Sequence, residues 1–128
     1  MPSPPRPAPT DAPATCAIGA DLWFRAEPDG TYVMGLTEAA QRRAGPLAHY
    51  RGPVAGRAYR AGEPALSLES EKWVGHLGLP VDGQVVATNP AAEADPPVIN
   101  RDPYGAGWLY RMRPREPGTL EALAGRPG

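Results

Sequence analysis

The sequence predicts a mainly β domain with one or two short helices. Its 128 residues include 15 glycines and 18 prolines, both far above average usage. Such a composition argues against a helical bundle and favours short strands joined by tight turns. From Pro53 onward, short apolar segments alternate with glycine or proline, which is typical of strands and turns. The hydrophobic content of 41% is enough for one small core.

The chain length predicts a single domain with less ordered ends. Residues 1–17 are rich in proline, alanine and serine without a periodic apolar pattern, which predicts a disordered, partly polyproline tail. We expect the folded domain over residues 18–117, with order beginning near Asp21. Residues 118–128 predict a short C-terminal helix, over Thr119–Ala124, or a disordered end.

The first elements are a hairpin and a helix. Two apolar segments, Leu22–Arg25 and Thr31–Leu36, flank a Glu-Pro-Asp-Gly sequence that is typical of a type I turn. Thr37 is a suitable N-cap for a short helix over Glu38–Ala44, whose charges suit the helix dipole. The following Gly45-Pro46 pair stops that helix.

A weak internal repeat organises the middle of the chain. The segment Val54–Arg60 is followed 27 residues later by Val81–Ala87, with valine first and glycine third in both. This repeat predicts two similar half-units. Two further predicted strands, Ala65–Ser70 and Trp73–Leu79, lie between the repeat segments and meet around Lys72. We therefore expect Lys72 at the tip of a hairpin.

The last third of the chain predicts a loop, a turn and a closing strand. Pro90–Pro97 is acidic and contains prolines, so we expect a surface loop. Asp102–Gly105 reads Asp-Pro-Tyr-Gly, a strong turn sequence, and Gly107–Arg113 predicts a strand that closes the sheet. Trp23 and Trp108 are expected to lie in the core.

Charge and composition argue against several functional classes. A net charge of −1 and a pI near 6.1 give no electrostatic basis for binding nucleic acid or anionic membranes. No apolar segment approaches the length of a bilayer span, and the N-terminus lacks a secretory signal, so we expect a cytoplasmic protein. Cys16 is the only cysteine, which excludes an internal disulfide and a cysteine-based metal site.

Catalytic motifs are not recognisable in this sequence. The two histidines, His49 and His76, do not have the spacing of zinc-binding motifs, so we expect no metal site. Neither a Gly-x-Ser-x-Gly elbow nor a glycine-rich phosphate loop is present. A self-contained enzyme with its own catalytic residues is therefore poorly supported.

One residue stands out chemically, because Lys72 is the only lysine beside 12 arginines. Unlike a guanidinium, its amine can become nucleophilic and be acylated. Glu69 and Glu71 flank it, and Trp73 follows it at the expected bend, where large aromatics often anchor contacts. His76 lies close enough to contact a group on Lys72 or to assist proton transfer. From the residues alone, a solvated charged tip and a partly exposed strand histidine remain open alternatives.

Three motifs resemble the glycine cleavage H-protein family, within the larger group of lipoyl domains. The first motif has two parts, the family's E-S-V-K-A and P-x-S-G-x-V-V-x-x-N patterns. They resemble Glu69–Trp73 and Pro80–Asn89 and align without insertions or deletions. Its D-G-x-x-x-V-G-I-T-x-x-A-Q pattern resembles Asp29–Gln41, and its N-x-D-P-Y-G-x-G-W signature resembles Asn100–Trp108. The similarity extends from about residue 21 to residue 114.

The resemblance implies a barrel-sandwich hybrid of the lipoyl and biotinyl carriers, with two small sheets. It also implies that Lys72 carries lipoate in amide linkage, with Glu69, Glu71, Trp73 and His76 as the surrounding cofactor-binding residues. Such a protein is a carrier and not an enzyme. Its swinging arm takes a sulfur-bound intermediate from one partner enzyme to another. We expect it to act as a monomer.

Departures from the family pattern concern the partners. Trp73-Val74-Gly75 replaces the usual small residue after the lysine, and Ala44–Pro53 differs from the family's L-G-D-x-x-x-x-E-L-P segment. The E-S-x-K-W-V-G arrangement of Glu69–Gly75 and the Ala44-Gly45 pair at the end of the helix resemble the lipoate-binding proteins of bacterial sulfur oxidation. This resemblance implies a heterodisulfide-reductase-like complex and a lipoate ligase or lipoyl-transfer enzymes as partners. One alternative is glycine cleavage, in which the chain carries the aminomethyl group among glycine decarboxylase, aminomethyltransferase and dihydrolipoamide dehydrogenase. Another is an unlipoylated binding module of the same fold, suggested by Glu71 and Trp73.

Overall fold

The computed structural model describes residues 15–18 and 21–124. The strands of this part of the chain are β1 (Thr15–Ile18), β2 (Leu22–Ala26), β3 (Tyr32–Leu36), β4 (Leu47–Arg51), β5 (Ala58–Tyr59), β6 (Pro64–Ser70), β7 (Val74–Gly78), β8 (Gly83–Thr88) and β9 (Tyr110–Pro114). Its helices are α1 (Glu38–Ala44), α2 (Pro90–Ala94), α3 (Pro97–Arg101) and α4 (Thr119–Ala124). None of these helices is long and apolar enough to cross a membrane.

Two antiparallel sheets contribute to one hydrophobic core, as the mainly β prediction requires. The larger sheet has the strand order β1-β2-β3-β9-β8-β5, and the smaller sheet has the order β4-β6-β7. Both sheets send alternate side chains into the same cluster, which includes Met34, Val85 and Met112 from the large sheet and Leu66 and Leu68 from the small one. The small sheet carries the hairpin of β6 and β7, and Lys72 lies between these two strands.

The first predicted hairpin and helix are confirmed. Strands β2 and β3 pair antiparallel, and Gly30 N–H donates to the Glu27 carbonyl oxygen at 3.1 Å across the turn. Helix α1 begins after Thr37, whose hydroxyl accepts a hydrogen bond from Ala40 N–H at 3.1 Å. Gly45 ends the helix with φ of 79°, a conformation that residues with a Cβ rarely adopt.

The two repeat segments lie side by side in the large sheet. Gly56 N–H donates to the Val85 carbonyl oxygen at 2.7 Å, and Val85 N–H donates to the Arg57 carbonyl oxygen at 2.9 Å. Within the first repeat segment, only Ala58–Tyr59 is extended and paired. A turn closed by Arg57 N–H and the Val54 carbonyl oxygen occupies the rest of the segment.

The predicted loop over Pro90–Pro97 was wrong. Helix α2 occupies most of it and helix α3 begins at its end, so the described chain has more helices than the one or two expected. Each helix has proline at its first position, where no N–H is required. Asn89 also accepts a hydrogen bond from Ala91 N–H with its side chain, which caps α2.

The closing strand begins three residues later than predicted. Gly107 N–H donates to the Asp102 carbonyl oxygen at 2.8 Å and Trp108 N–H to the Gly105 carbonyl oxygen at 3.1 Å, so the turn extends into the expected strand. Trp108 is only half-buried, which corrects its assignment to the core, whereas Trp23 is 1% exposed as predicted.

The chain ends are partly outside the described residues. Strand β1 lies before Asp21, the residue near which we expected order to begin, and it includes residues 15–17 of the predicted tail. It pairs with β2. The pairing that places β1 in the sheet is made with β2, and a local sequence pattern does not reveal such pairing. Of the predicted tail, residues 1–14 lie outside the described part of the chain, as do residues 125–128 at the other end. Helix α4 has the bounds that were predicted for the C-terminal helix.

Candidate functional site

Lys72 lies at the tip of the hairpin formed by β6 and β7, as predicted from its position between two strands. The last paired residues are Glu69 and Val74, and Ser70 N–H donates to the Trp73 carbonyl oxygen at 2.8 Å to close the bend. Lys72 N–H also donates to the Ser70 hydroxyl oxygen at 3.3 Å. The main chain beneath the lysine is therefore held in place although its side chain is exposed.

The hairpin tip rests on the C-terminal end of helix α1. The buried Ser70 hydroxyl donates to the Ala44 carbonyl oxygen at 2.5 Å. This carbonyl belongs to the last turn of the helix, where carbonyl groups have no partner within the helix. The lysine stem continues along the same surface, since a Cβ on Gly45 would lie 2.9 Å from Lys72 Cε. Gly45 thus ends α1 and also leaves space for the lysine.

Asn100, on helix α3, fixes the segment below Lys72. Its amide group donates to the Gly45 carbonyl oxygen at 3.0 Å and to Gln41 Oε1 at 2.9 Å, and its Oδ1 accepts from Leu47 N–H at 2.9 Å. These three bonds connect α1, the start of β4 and α3. Sequence reasoning missed this role, although Asn100 is the first residue of the matched N-x-D-P-Y-G-x-G-W signature.

The two neighbouring glutamates leave the lysine amine available. Glu69 and Glu71 are exposed, and within the described part of the chain neither forms an ion pair with Lys72. Acylation consumes the lone pair of the amine, so a lysine held by a carboxylate would react less readily. The arrangement therefore presents a free amine at the end of a fixed hairpin.

Trp73 points inward, which corrects its prediction as an exposed contact anchor. Its ring is half-buried and packs against the core cluster. The ring lies over Gly75, where a Cβ would come within 2.3 Å of Trp73 Cη2. A cavity of about 230 Å³ adjoins the ring and is lined by Asp21, Leu36, Ala40, Arg43, Trp73 and Leu77. Glycine two positions after the tryptophan is therefore what allows the ring to fold back.

Glu69 and His76 lie on the outer face of the small sheet, away from the Trp73 cavity. An open groove of about 590 Å³ on this face is lined by both of them and by His49, which pairs with Glu69 in the strand register. Val74 also lines the groove and is 58% exposed, whereas Lys72 and Trp73 do not line it. The predicted site residues are thus divided between two surfaces of the hairpin. No group of three or more potential metal-ligating residues occurs among residues 15–18 and 21–124.

The Asp-Pro-Tyr-Gly motif has a structural role. Trp23 Nε1 donates to the Pro103 carbonyl oxygen at 3.0 Å, and Glu38 N–H donates to the Tyr104 hydroxyl at 2.9 Å. Asp102 Oδ2 in turn accepts from Ala106 N–H at 2.8 Å within the loop. This loop therefore connects strand β2 to the start of α1, the helix on which the lysine hairpin rests.

Comparison with known proteins identifies the family. The family model described as "Glycine cleavage H-protein" matches residues 17–126. The chain belongs to the glycine cleavage H-protein family. Proteins of this family are lipoyl carriers, with lipoate attached covalently to a lysine.

Individual H-proteins are similar over most of this chain. It is 41% identical over 100 residues to "Glycine cleavage system H protein 3" of Aquifex aeolicus, covering 78% of this chain and 62% of that relative. It is 40% identical over 106 residues to the "Glycine cleavage system H protein" of Psychrobacter sp., covering 83% and 84%. The chain thus spans less than two thirds of the Aquifex protein but most of the Psychrobacter protein.

A solved H-protein structure has the same architecture. The glycine cleavage system H protein from Mycobacterium marinum aligns with a TM-score of 0.74 and 37% sequence identity, covering 88% of this chain and 94% of that one. This similarity confirms the predicted barrel-sandwich fold and the resemblance that implied it.

Proposed function

We propose that Lys72 is the lipoyl-bearing residue and that the chain acts as a carrier without catalysis of its own. The observation that carries this proposal is the position of the only lysine, exposed at the tip of a hairpin that rests on α1. Its amine fits an amide-linked acyl group, because no carboxylate pairs with it in the described residues. When bound, lipoate supplies a disulfide that can be opened by a nucleophile and closed again by oxidation.

The residues around Lys72 would orient its side chain and form the surface that a modifying enzyme or a partner enzyme recognises. Ser70 and Gly45 position the hairpin and the lysine stem, so that the reactive end leaves the protein in one direction. Glu69 and Glu71 are the exposed charges that a lipoate ligase or a lipoyl-transfer enzyme would meet beside the lysine. His76, on the outer face of the small sheet, would contact a partner enzyme beside the hairpin.

For the pathway, we propose sulfur oxidation with a heterodisulfide-reductase-like complex. The support is the Trp73-Val74-Gly75 sequence, in which the tryptophan occupies the inner side of the hairpin and Gly75 accommodates its ring. A small residue at position 73, as in the usual family pattern, would leave that space open and give a different surface beside the lysine.

Glycine cleavage is the second candidate, and the names of the relatives favour it. The similar proteins of Aquifex and Psychrobacter and the structural relative from Mycobacterium are all named as glycine cleavage H proteins. In that case the partners would be glycine decarboxylase, aminomethyltransferase and dihydrolipoamide dehydrogenase. Both candidates use the same lysine and differ in what docks around it.

Intact-mass measurement of the protein from its native host tests the modification. We expect a lipoyl adduct on the wild type and none on Lys72→Arg, with the circular dichroism spectrum unchanged. An unmodified wild-type protein from cells that make lipoate would contradict the proposal and favour the unlipoylated binding module.

The pathway needs a separate assay on the lipoylated protein. If the chain serves glycine cleavage, it should support release of CO₂ from glycine by glycine decarboxylase as well as an H-protein control does. We expect it to fail in that assay, and to co-purify with a heterodisulfide-reductase-like complex. Full support of glycine decarboxylase would overturn the sulfur-oxidation proposal and leave the lysine assignment intact.

A further inference from the structure

An open groove with three arginines lies at the end of the large sheet, away from the lysine hairpin. Its volume is about 1030 Å³, and Arg60, Arg113 and Arg115 line it. Glu63 also lines it, immediately before strand β6, whereas Lys72 follows the other end of that strand. Strand β6 has 7 residues, so the groove and the tip are separated by about 20 Å at ~3.3 Å per residue.

The three arginines are exposed, and none of them forms an ion pair within the described residues. The ion pairs in this part of the chain involve other arginines, including Arg57, which pairs with Glu63 at 3.1 Å. Arg113 makes one hydrogen bond, from Nη1 to the Asp29 carbonyl oxygen at 3.0 Å. A guanidinium has five N–H donors, so most of the donors in the groove remain available.

Main-chain hydrogen bonds to Asp82 hold the walls of the groove together. Its Oδ1 accepts from Ala61 N–H at 2.7 Å, next to Arg60, and its carbonyl oxygen accepts from Arg115 N–H at 2.9 Å. The carboxylates of the groove thus already have bonding partners within the chain. Asp82 binds the main chain, and Glu63 binds Arg60 N–H at 2.9 Å as well as Arg57.

We propose that this arginine groove, defined by Arg60, Arg113 and Arg115, is a docking surface for a carboxylate-rich segment of a partner protein. Guanidinium groups bind carboxylates through two parallel hydrogen bonds. The groove is much larger than a single small anion, which favours an extended segment. Nucleic acid is disfavoured because the net charge is −1 and because Tyr59, the aromatic residue in the groove, is buried and cannot stack on a base.

A docking surface distant from the tip would hold a partner while Lys72 remains free to reach that partner's reaction centre. Such tethering raises the effective concentration of the carried group. The proposal adds a partner surface to the carrier role and does not depend on whether Lys72 is modified.

Titration of the isotope-labelled full-length chain with a hexaglutamate peptide, followed by NMR, tests the proposal. We expect shift changes over residues 60–63, 82–84 and 113–115, which weaken when salt is raised to about 0.5 M. The double variant Arg60→Gln/Arg115→Gln, which keeps the bond between Arg113 and Asp29, should weaken binding about 2- to 30-fold.

The matched control is Arg42→Gln/Arg51→Gln, which changes the net charge equally at exposed positions outside the groove. Retained affinity in this control and in Lys72→Arg would support a groove-specific surface that is independent of modification. Equal weakening in the control, shift changes elsewhere, or tighter binding of inorganic pyrophosphate or of a single-stranded oligonucleotide than of the peptide would overturn the proposal.

Discussion

The hydroxyl of Ser70 donates a hydrogen bond to the carbonyl oxygen of Ala44, and this bond joins the lysine hairpin to helix α1. The two atoms are 2.5 Å apart and buried. The Ala44 carbonyl is one of those that a helix end leaves without a hydrogen-bond donor inside the helix. The Ser70 hydroxyl of the hairpin supplies that donor. The Ser70 side chain thereby holds the main chain at Lys72 against helix α1.

Loss of this bond should destabilise the protein and loosen the tip. Ser70→Ala leaves the buried Ala44 carbonyl unpaired, and we expect a loss of about 1–3 kcal/mol in the free energy of unfolding. Urea denaturation measures it, with Ser67→Ala on the outer face of the same strand as the control. An equal loss in the two variants would show that the bond has no special role.

Gly45→Ala should affect both stability and the orientation of the lysine. The positive φ of 79° costs about 1 kcal/mol for a residue with a Cβ, and the new methyl group would lie 2.9 Å from Lys72 Cε. Because the lysine end is flexible, it can move aside, so the contact should alter its direction more than the stability.

Gly62→Ala is the matched control for that variant. Gly62 has a φ of 81° but nothing within 4 Å of an added Cβ. We expect both variants to lose stability in chemical denaturation and only Gly45→Ala to be modified more slowly by a lipoate ligase. Equal modification rates would contradict the inferred contact between residue 45 and the lysine stem.

Trp73 and Gly75 should be energetically coupled. A Cβ at position 75 would overlap the Trp73 ring, so Gly75→Ala must displace the ring from its half-buried position. We expect a red-shifted tryptophan emission and a loss of stability in Gly75→Ala. The loss should be smaller when Trp73→Ala is already present, and a double-mutant cycle measures this coupling. Additive effects of the two substitutions would mean that the ring does not lie over residue 75.

Stability above pH 10 should depend on Tyr32. Its hydroxyl donates to the Glu121 carboxylate of α4, and that bond, with burial, raises the pKa of Tyr32 from 10.0 to about 12. The folded state therefore holds the proton more tightly than the unfolded state does. The stabilisation is fully present below pH 10 and is lost as the pH rises through about 12.

Thermal unfolding between pH 9 and about pH 12 measures this contribution. Burial also raises the pKa of Tyr50 and of Tyr110, so the wild type and both variants should lose stability at high pH. Tyr32→Phe and Glu121→Gln should each show a shallower decline than the wild type. An unchanged slope in both variants would contradict the role of this hydrogen bond.

Local sequence patterns were sufficient for the hairpin tip and its helix. Thr37 and Gly45 mark the ends of α1 because capping depends on groups within one turn of each other. Lys72 was placed correctly because two apolar strands with a short bend between them leave little choice for the residue at the bend. The motif matches then extended this local information to the fold and the family.

The helices after Asn89 show where local reasoning failed. Prolines and acidic residues suggested a loop, yet proline at the first helical position and a capping asparagine favour short helices when the surrounding structure supports them. Helix α3 is the element that brings Asn100 below Lys72. Its role at the site therefore followed from an element that the sequence pattern did not predict.

By itself, the sequence determined the mainly β class, the single lysine and its position between two strands, because turns, caps and alternating side chains act over a few residues. Only the tertiary structure decided that Trp73 turns inward, that Glu69 and His76 share a face with His49, and that Arg60, Arg113 and Arg115 line one groove. These relations join residues that are far apart in the chain, and they depend on strand register and on which sheet face is buried.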